Sequence, residues 1–149
     1  MAAATVVGGI QLVPYGRDHD PLPPTAEAPW PDDASRELAV GACYDCHSGA
    51  TDWPWYSNVA PMSWLVQRDV DRGRDELRFD AWDDGDGEDA AETIAEGDMP
   101  PRQYTWLHAD ARLSFDEKEQ LIEALEAMDG EDETDSSGRG RGRGRGGDD

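Results

Sequence analysis

Both cysteines of this chain fall in one run of five residues, Cys43-Tyr44-Asp45-Cys46-His47. No other stretch restricts the fold as much. Two thiols separated by two residues, with an imidazole directly after the second, form the arrangement that covalent haem attachment needs. The thiols add across the two vinyl groups of a porphyrin, and the histidine presents a ring nitrogen to the iron. Two cysteines and three histidines strewn at random over 149 residues would give this run roughly 3 times in 10,000. Other uses of a Cys-x-x-Cys pair fit less well. A thioredoxin-type redox pair sits in alternating strands and helices, and the flanks show no such pattern. Four-coordinate zinc takes more soft ligands than one cysteine pair supplies. A disulfide closing so short a loop restrains almost nothing.

The rest of the chain reads as one domain with tails, arranged around that run. Residues 1–13 are mostly apolar but too short to span a bilayer, which takes about 20 residues. They read as the remnant of a signal anchor or signal peptide whose beginning lies upstream, with a buried strand or helix end as the alternative. Residues 14–31 hold six prolines, which keep the segment extended as a wrap or a spacer. His19, in its midst among aspartates, reads as a solvated loop residue. The haem-binding domain is then 32–129, and 130–149 is an acidic run followed by a Gly-Arg tail, disordered by composition.

Within the domain, four helices are legible. Asp32 or Asp33 caps one that runs to about Cys43 and delivers the cysteine run. Pro61 opens a second, with Met62, Leu65, Val66 and Val70 on one side and Gly73 near its end. A short third covers about Glu88 to Glu96 and stops at Gly97. Ser114 and Glu117 form a capping box before the fourth, whose Leu121, Ile122, Leu125 and Met128 face the core. The acidic loop from Asp80 to Asp89 lacks the glycine and glutamate of a calcium loop counted from Asp84, and reads as a solvated turn.

Candidate partners for the porphyrin lie between these helices. Trp53-Pro54-Trp55-Tyr56 places three rings where they can cover a porphyrin edge, and a carbonyl near Pro54 can accept the other N–H of His47. Arg74 has the forked donors that suit a propionate, with a solvated helix face as the alternative. Met99 precedes two prolines that stiffen its loop, as a weakly bonding thioether ligand needs, and His plus Met ligation characterises electron-transferring cytochromes c. Met62, Met128 and above all His108 are its rivals for the second axial position.

Acidic residues outnumber basic ones 34 to 13. Residues 1–138 carry 32 acidic and 9 basic groups, which argues against a nucleic-acid partner for the folded part. A single lysine, Lys118, amid abundant aspartate also resembles proteins adapted to brine.

Ala42-Cys43-Tyr44-Asp45-Cys46-His47-Ser48, Trp53-Pro54-Trp55-Tyr56-Ser57, Ala60-Pro61-Met62-Ser63-Trp64-Leu65 and Gly97-Asp98-Met99-Pro100-Pro101, with Tyr104 and His108, together resemble the small c-type haem-binding domain family. The resemblance implies a membrane-anchored or exported monohaem protein, presumed to carry electrons. The reading as a whole is an all-α, cytochrome c-like fold of about four short helices around one covalently attached haem c. Cys43 and Cys46 form the thioethers, and His47 and Met99 bind the iron. It implies redox proteins as partners, no nucleic acid, a possible membrane tether and an extracytoplasmic location. The rivals are a haem enzyme or gas sensor with an open distal site, and a haem-free thiol–disulfide oxidoreductase.

Overall fold

A computed structural model describes residues 2–83 and 85–130. Met1, Asp84 and residues 131–149 lie outside them, and with them the first residue of the calcium-loop comparison and the tail read as disordered. Among the described residues there are seven α-helices and no strand. They are α1 (Ala2–Ile10), α2 (Asp33–Ala42), α3 (Tyr44–His47), α4 (Met62–Glu76), α5 (Asp86–Glu96), α6 (Arg102–Leu107) and α7 (Phe115–Gly130). Two 3₁₀ turns, Trp55–Asn58 and Ala109–Ala111, join them. The all-α expectation holds, and the four legible helices are α2, α4, α5 and α7. The other three are short, and the sequence shows little period over so few residues.

Three of the long helices, α2, α5 and α7, begin where a side chain satisfies free N–H groups, whereas α4 starts at Pro61 with no side-chain cap. Asp32 accepts from the N–H of Ser35 at 2.8 Å and from its hydroxyl at 2.8 Å, starting α2. Ser114 and Glu117 form the reciprocal box at α7, with Glu117 accepting from Ser114 N–H at 2.7 Å and Ser114 Oγ from Glu117 N–H at 3.3 Å. At α5 the cap comes from far along the chain: Asp129 accepts from the N–H of Gly85 and of Glu88.

The core lies where α5 and α7 pack along each other and α2 closes on α7. Leu121, Leu125 and Met128 of α7 are buried there with Ala91 and Ile94 of α5, Ala39 of α2, Tyr44 and Phe79. Gly87 lets the backbones come close, because a Cβ there would collide with the carbonyl of Leu125.

The proline-rich segment is a strap, and the wrapping alternative is the one seen. Leu22 N–H bonds to Gly49 O (3.1 Å), Thr25 N–H to Asp80 O (2.8 Å) and Ala28 N–H to Phe79 O (2.7 Å). Two readings of this region are corrected. Asp80 is not in a solvated turn: it is 5% exposed, accepts from Gly49 N–H at 2.7 Å and pairs with Arg78 at 3.0 Å. The strap's N–H groups need acceptors and find them in the backbone carbonyls of Gly49, Asp80 and Phe79, while the Asp80 carboxylate holds Gly49 in place from its own N–H. His19 is not a solvated residue either, since its ring stacks on Trp53 at 4.1 Å, 6° from parallel. Gly73 lies near the end of α4, as expected, with three residues of helix after it.

Candidate functional site

The cysteine run forms because α2 breaks within it. α2 stops at Ala42, and Cys43 leaves helical geometry (φ −125°, ψ −38°) while its N–H still bonds Ala39 O at 2.8 Å. A new turn starts from the Cys43 carbonyl, which accepts from Cys46 N–H at 3.1 Å and His47 N–H at 2.9 Å. Ser48 then closes it, donating its hydroxyl to Tyr44 O at 2.8 Å. The turn sits directly on α4. A Cβ at Gly73 would lie 2.6 Å from the Cys46 carbonyl oxygen, so Gly73, in the last turn of α4, also serves a close approach.

That turn divides its side chains between two environments. Cys43 packs against the buried core cluster. Cys46 lines a small apolar pocket of about 110 Å³ that it shares with Met62, Leu65, Val66 and Val70 of α4. The apolar side of α4 thus faces this pocket. Both thiols are free. Burial pushes the Cys43 thiol up to about 12. Burial does the same for Cys46, to about 11, with the Asp45 and Asp69 carboxylates adding to it. Both sulfurs are therefore held as neutral S–H groups at ordinary pH.

His47 turns its Nδ1 to the carbonyl of Leu77, 3.1 Å away. Leu77 follows the last residue of α4, where a helix leaves carbonyls unpaired. The carbonyl near Pro54 is not the acceptor, because Pro54 O is taken by the N–H and hydroxyl of Ser57. Burial lowers the His47 pKa, with the Leu77 and Gly73 carbonyls opposing. The ring is therefore neutral, and a carbonyl facing Nδ1 requires the proton there, which leaves the lone pair on Nε2. That is how a histidine is prepared for a metal. Its ring also meets Phe79 of the core edge-on at 6.2 Å.

Met99 is placed by the end of α5. Gly97 takes φ +85°, Gly97 N–H bonds Ile94 O at 3.1 Å and Asp98 N–H bonds Thr93 O at 3.1 Å. This is the glycine-ended helix stop with both of its bonds. Met99 follows at once, partly buried against the same cluster that holds Cys43 and Phe79. Its rival His108 lies elsewhere, on the wall of the pocket beside Cys46. There its Nε2 shares a hydrogen bond with the Tyr56 hydroxyl at 2.8 Å. Met62 lines that pocket too, and Met128 is buried in the core.

The aromatic loop is dispersed. Trp53 lies between His19 and the Arg74 guanidinium, 6.0 Å from its centroid. Trp55 is 79% exposed and meets Tyr56 edge-on at 5.8 Å. Arg74 is occupied in the fold, donating to Ser48 O at 2.8 Å and to Thr51 Oγ1 at 3.0 Å. It clasps the turn that follows His47.

One contact had no signal in the sequence. Tyr104 donates its hydroxyl to Asp45 Oδ2 at 2.6 Å, tying α6 to the middle of the cysteine run. The Tyr104 ring stacks on His108 at 4.2 Å. Burial and then the accepting Asp45 carboxylate raise the Tyr104 pKa, so the phenol keeps its proton. α6 itself contributes no buried residue and, among the described elements, packs only against the 3₁₀ turn after it. Side-chain hydrogen bonds from Tyr104, and from His108 just beyond its end, hold it beside the pocket, and Arg112 donates to the Thr105 carbonyl at 2.7 Å.

The donor set fits an iron porphyrin: two protonated thiols, a neutral imidazole with Nε2 available, and a thioether on the shared core. Among the described residues no three His, Cys, Asp or Glu side chains cluster as a metal site. A family model described as a haem-binding domain matches residues 5–127. No curated protein and no solved structure matches the chain.

Proposed function

The chain belongs to the haem-binding domain family, and from that premise we propose that it is a monohaem, c-type, one-electron carrier. The observation that carries this is the state of His47: neutral, half-buried, and fixed through Nδ1 by Leu77 O, beside two free thiols at the required spacing. In this reading Cys43 and Cys46 hold haem c through thioethers, His47 Nε2 is the proximal ligand and Met99 the distal one. The bound iron supplies a one-electron couple between ferric and ferrous. The chain's own residues do the rest. Leu77 orients the imidazole, the α5 stop delivers the thioether, and Phe79 with its neighbours keeps water from the proximal side. No acid–base step is needed.

Raised thiol pKa values speak against thiol–disulfide exchange, in which the attacking sulfur is a thiolate stabilised near neutrality. A second reading draws on the pocket beside Cys46: with His108 and Tyr56 on its wall, it suits a small ligand and hence a gas sensor or haem enzyme. Thioether formation also implies maturation outside the cytoplasm, and so export. Of the described helices none is long and apolar enough to cross a membrane.

Expression in a host competent in cytochrome c maturation, followed by haem staining on a denaturing gel, tests covalent attachment. Unstained protein overturns the carrier. The oxidised protein is expected to show the weak far-red band of a methionine–iron bond and to lose it in Met99→Ala. Carbon monoxide binding to reduced wild-type protein without displacing a ligand would instead support the sensor or enzyme.

A further inference from the structure

We infer that the mouth of the pocket beside Cys46 is the docking surface for the redox partner, and that the partner presents an apolar contact ringed by lysine or arginine. This rests on the carrier reading above. Three observations lead to it. The first is position: Cys43 is turned into the core, whereas Cys46 lies on the wall of a pocket open to solvent. A group held by both sulfurs comes nearest to solvent at Cys46.

The second is apolar exposure. Leu107 on the pocket wall is 63% exposed and Leu65 is 37% exposed. Trp55, 79% exposed, leans on Tyr56 of the same wall. Large apolar groups gathered in the open mark contact sites, and tryptophan is among the residues enriched as anchors of such contacts.

The third is charge. Asp45, Asp52 and Asp69 are among the lining residues and no lysine or arginine is; Asp69 pairs with neighbouring Arg68 at 2.7 Å, so the net negative charge of the mouth rests on Asp45 and Asp52. The chain as a whole carries −21, so a second copy would be repelled from this mouth and a basic partner drawn to it. On contact one electron passes, the carrier losing one as the partner gains one, with no bond made or broken.

The probe is a lysine-rich cytochrome c with zinc in place of iron, whose photoexcited triplet donates an electron to the ferric holoprotein. Quenching is expected to slow by roughly tenfold in a Trp55→Ala, Leu107→Ala double variant. Asp52→Asn with Asp69→Asn is expected to flatten its dependence on salt. Phe115→Ala and the pair Asp116→Asn, Glu126→Gln, all on exposed positions of α7, leave rate and salt dependence as in the wild type. Mouth variants that quench at the wild-type rate overturn the docking surface. So do α7 variants that slow quenching equally, or mouth variants that lose haem, since the patch then belongs to the porphyrin. Failure of the carrier itself is separate, because unstained protein ends the experiment before any quenching is measured.

Discussion

The two sides of the cysteine turn are built by different means. On one side Cys43, His47 and Met99 reach a packed cluster of Phe79, Leu121, Leu125 and Tyr44, closed by apolar contact. On the other side Cys46 and Asp45 face α6, which has no fully buried residue and is tied by hydrogen bonds from Tyr104 and from His108 just beyond its end. Burial is non-directional and forfeits several kcal/mol when one side chain is truncated. A partly exposed hydrogen bond contributes about 1 kcal/mol. The closed side therefore sets stability and carries the residues proposed to bind iron, and the open side is the replaceable wall through which the proposed carrier would meet its surroundings.

The hardest test of that division is covalent. Cys43→Ala with Cys46→Ala should abolish haem staining on a denaturing gel, while Tyr56→Phe with Tyr104→Phe should leave it intact. Staining lost in the second pair would mean that the open side is not replaceable. Next in size is the core. Leu125→Ala, at a fully buried position, should destabilise the protein by about 2–5 kcal/mol in urea unfolding. Gly73→Ala should follow at about 1–3 kcal/mol, because the new methyl would press on the backbone carbonyl and Cβ of Cys46, which can yield only by shifting the turn. No change at Gly73 would show that α4 and the cysteine turn are not in register as described.

The closed side was the more legible of the two. Asp32, the Ser114–Glu117 box and Gly97 announce their helix ends because caps act within a few residues, and the period of Leu121, Leu125 and Met128 follows from one helix alone. Gly73 shows the limit. A glycine near a helix end is the ordinary stop signal, and only the Cys46 carbonyl, 27 positions away in sequence, reveals that it serves a contact. Likewise Pro54 is near His47 in sequence, but the carbonyl that fixes the ring comes from Leu77, at the end of α4. The open side depends almost wholly on such distant pairs. Nothing local links Tyr104 to Asp45, or Tyr56 to His108. The strap hid its role too, since prolines announce extended chain and say nothing of the surface it lies on.

On the open side the expected effects are smaller. Tyr104→Phe should lower stability by about 1 kcal/mol and release α6, seen as faster hydrogen exchange in Arg102–Leu107 with no change in α7. Exchange that quickened equally in both helices would merge the two sides into one cooperative unit.

The last test asks whether the closed side is closed before any porphyrin arrives. Burial lowers the His47 pKa in the folded chain from the ordinary 6.5. Below that value the unfolded chain takes up a proton that the folded chain refuses, so the unfolded state binds more protons and stability falls as pH falls. The loss begins near pH 6.5 and levels off once the folded-state pKa is passed. Urea unfolding of the haem-free protein from pH 7.5 to 5.5, a window above ordinary carboxylate titration, should therefore show declining stability. In His47→Gln, whose amide can still donate to Leu77 O but does not titrate, the decline should be shallower. Equal slopes would place water against the imidazole in the haem-free chain, and the closed side would then owe its dryness to the cofactor and not to Phe79 and its neighbours.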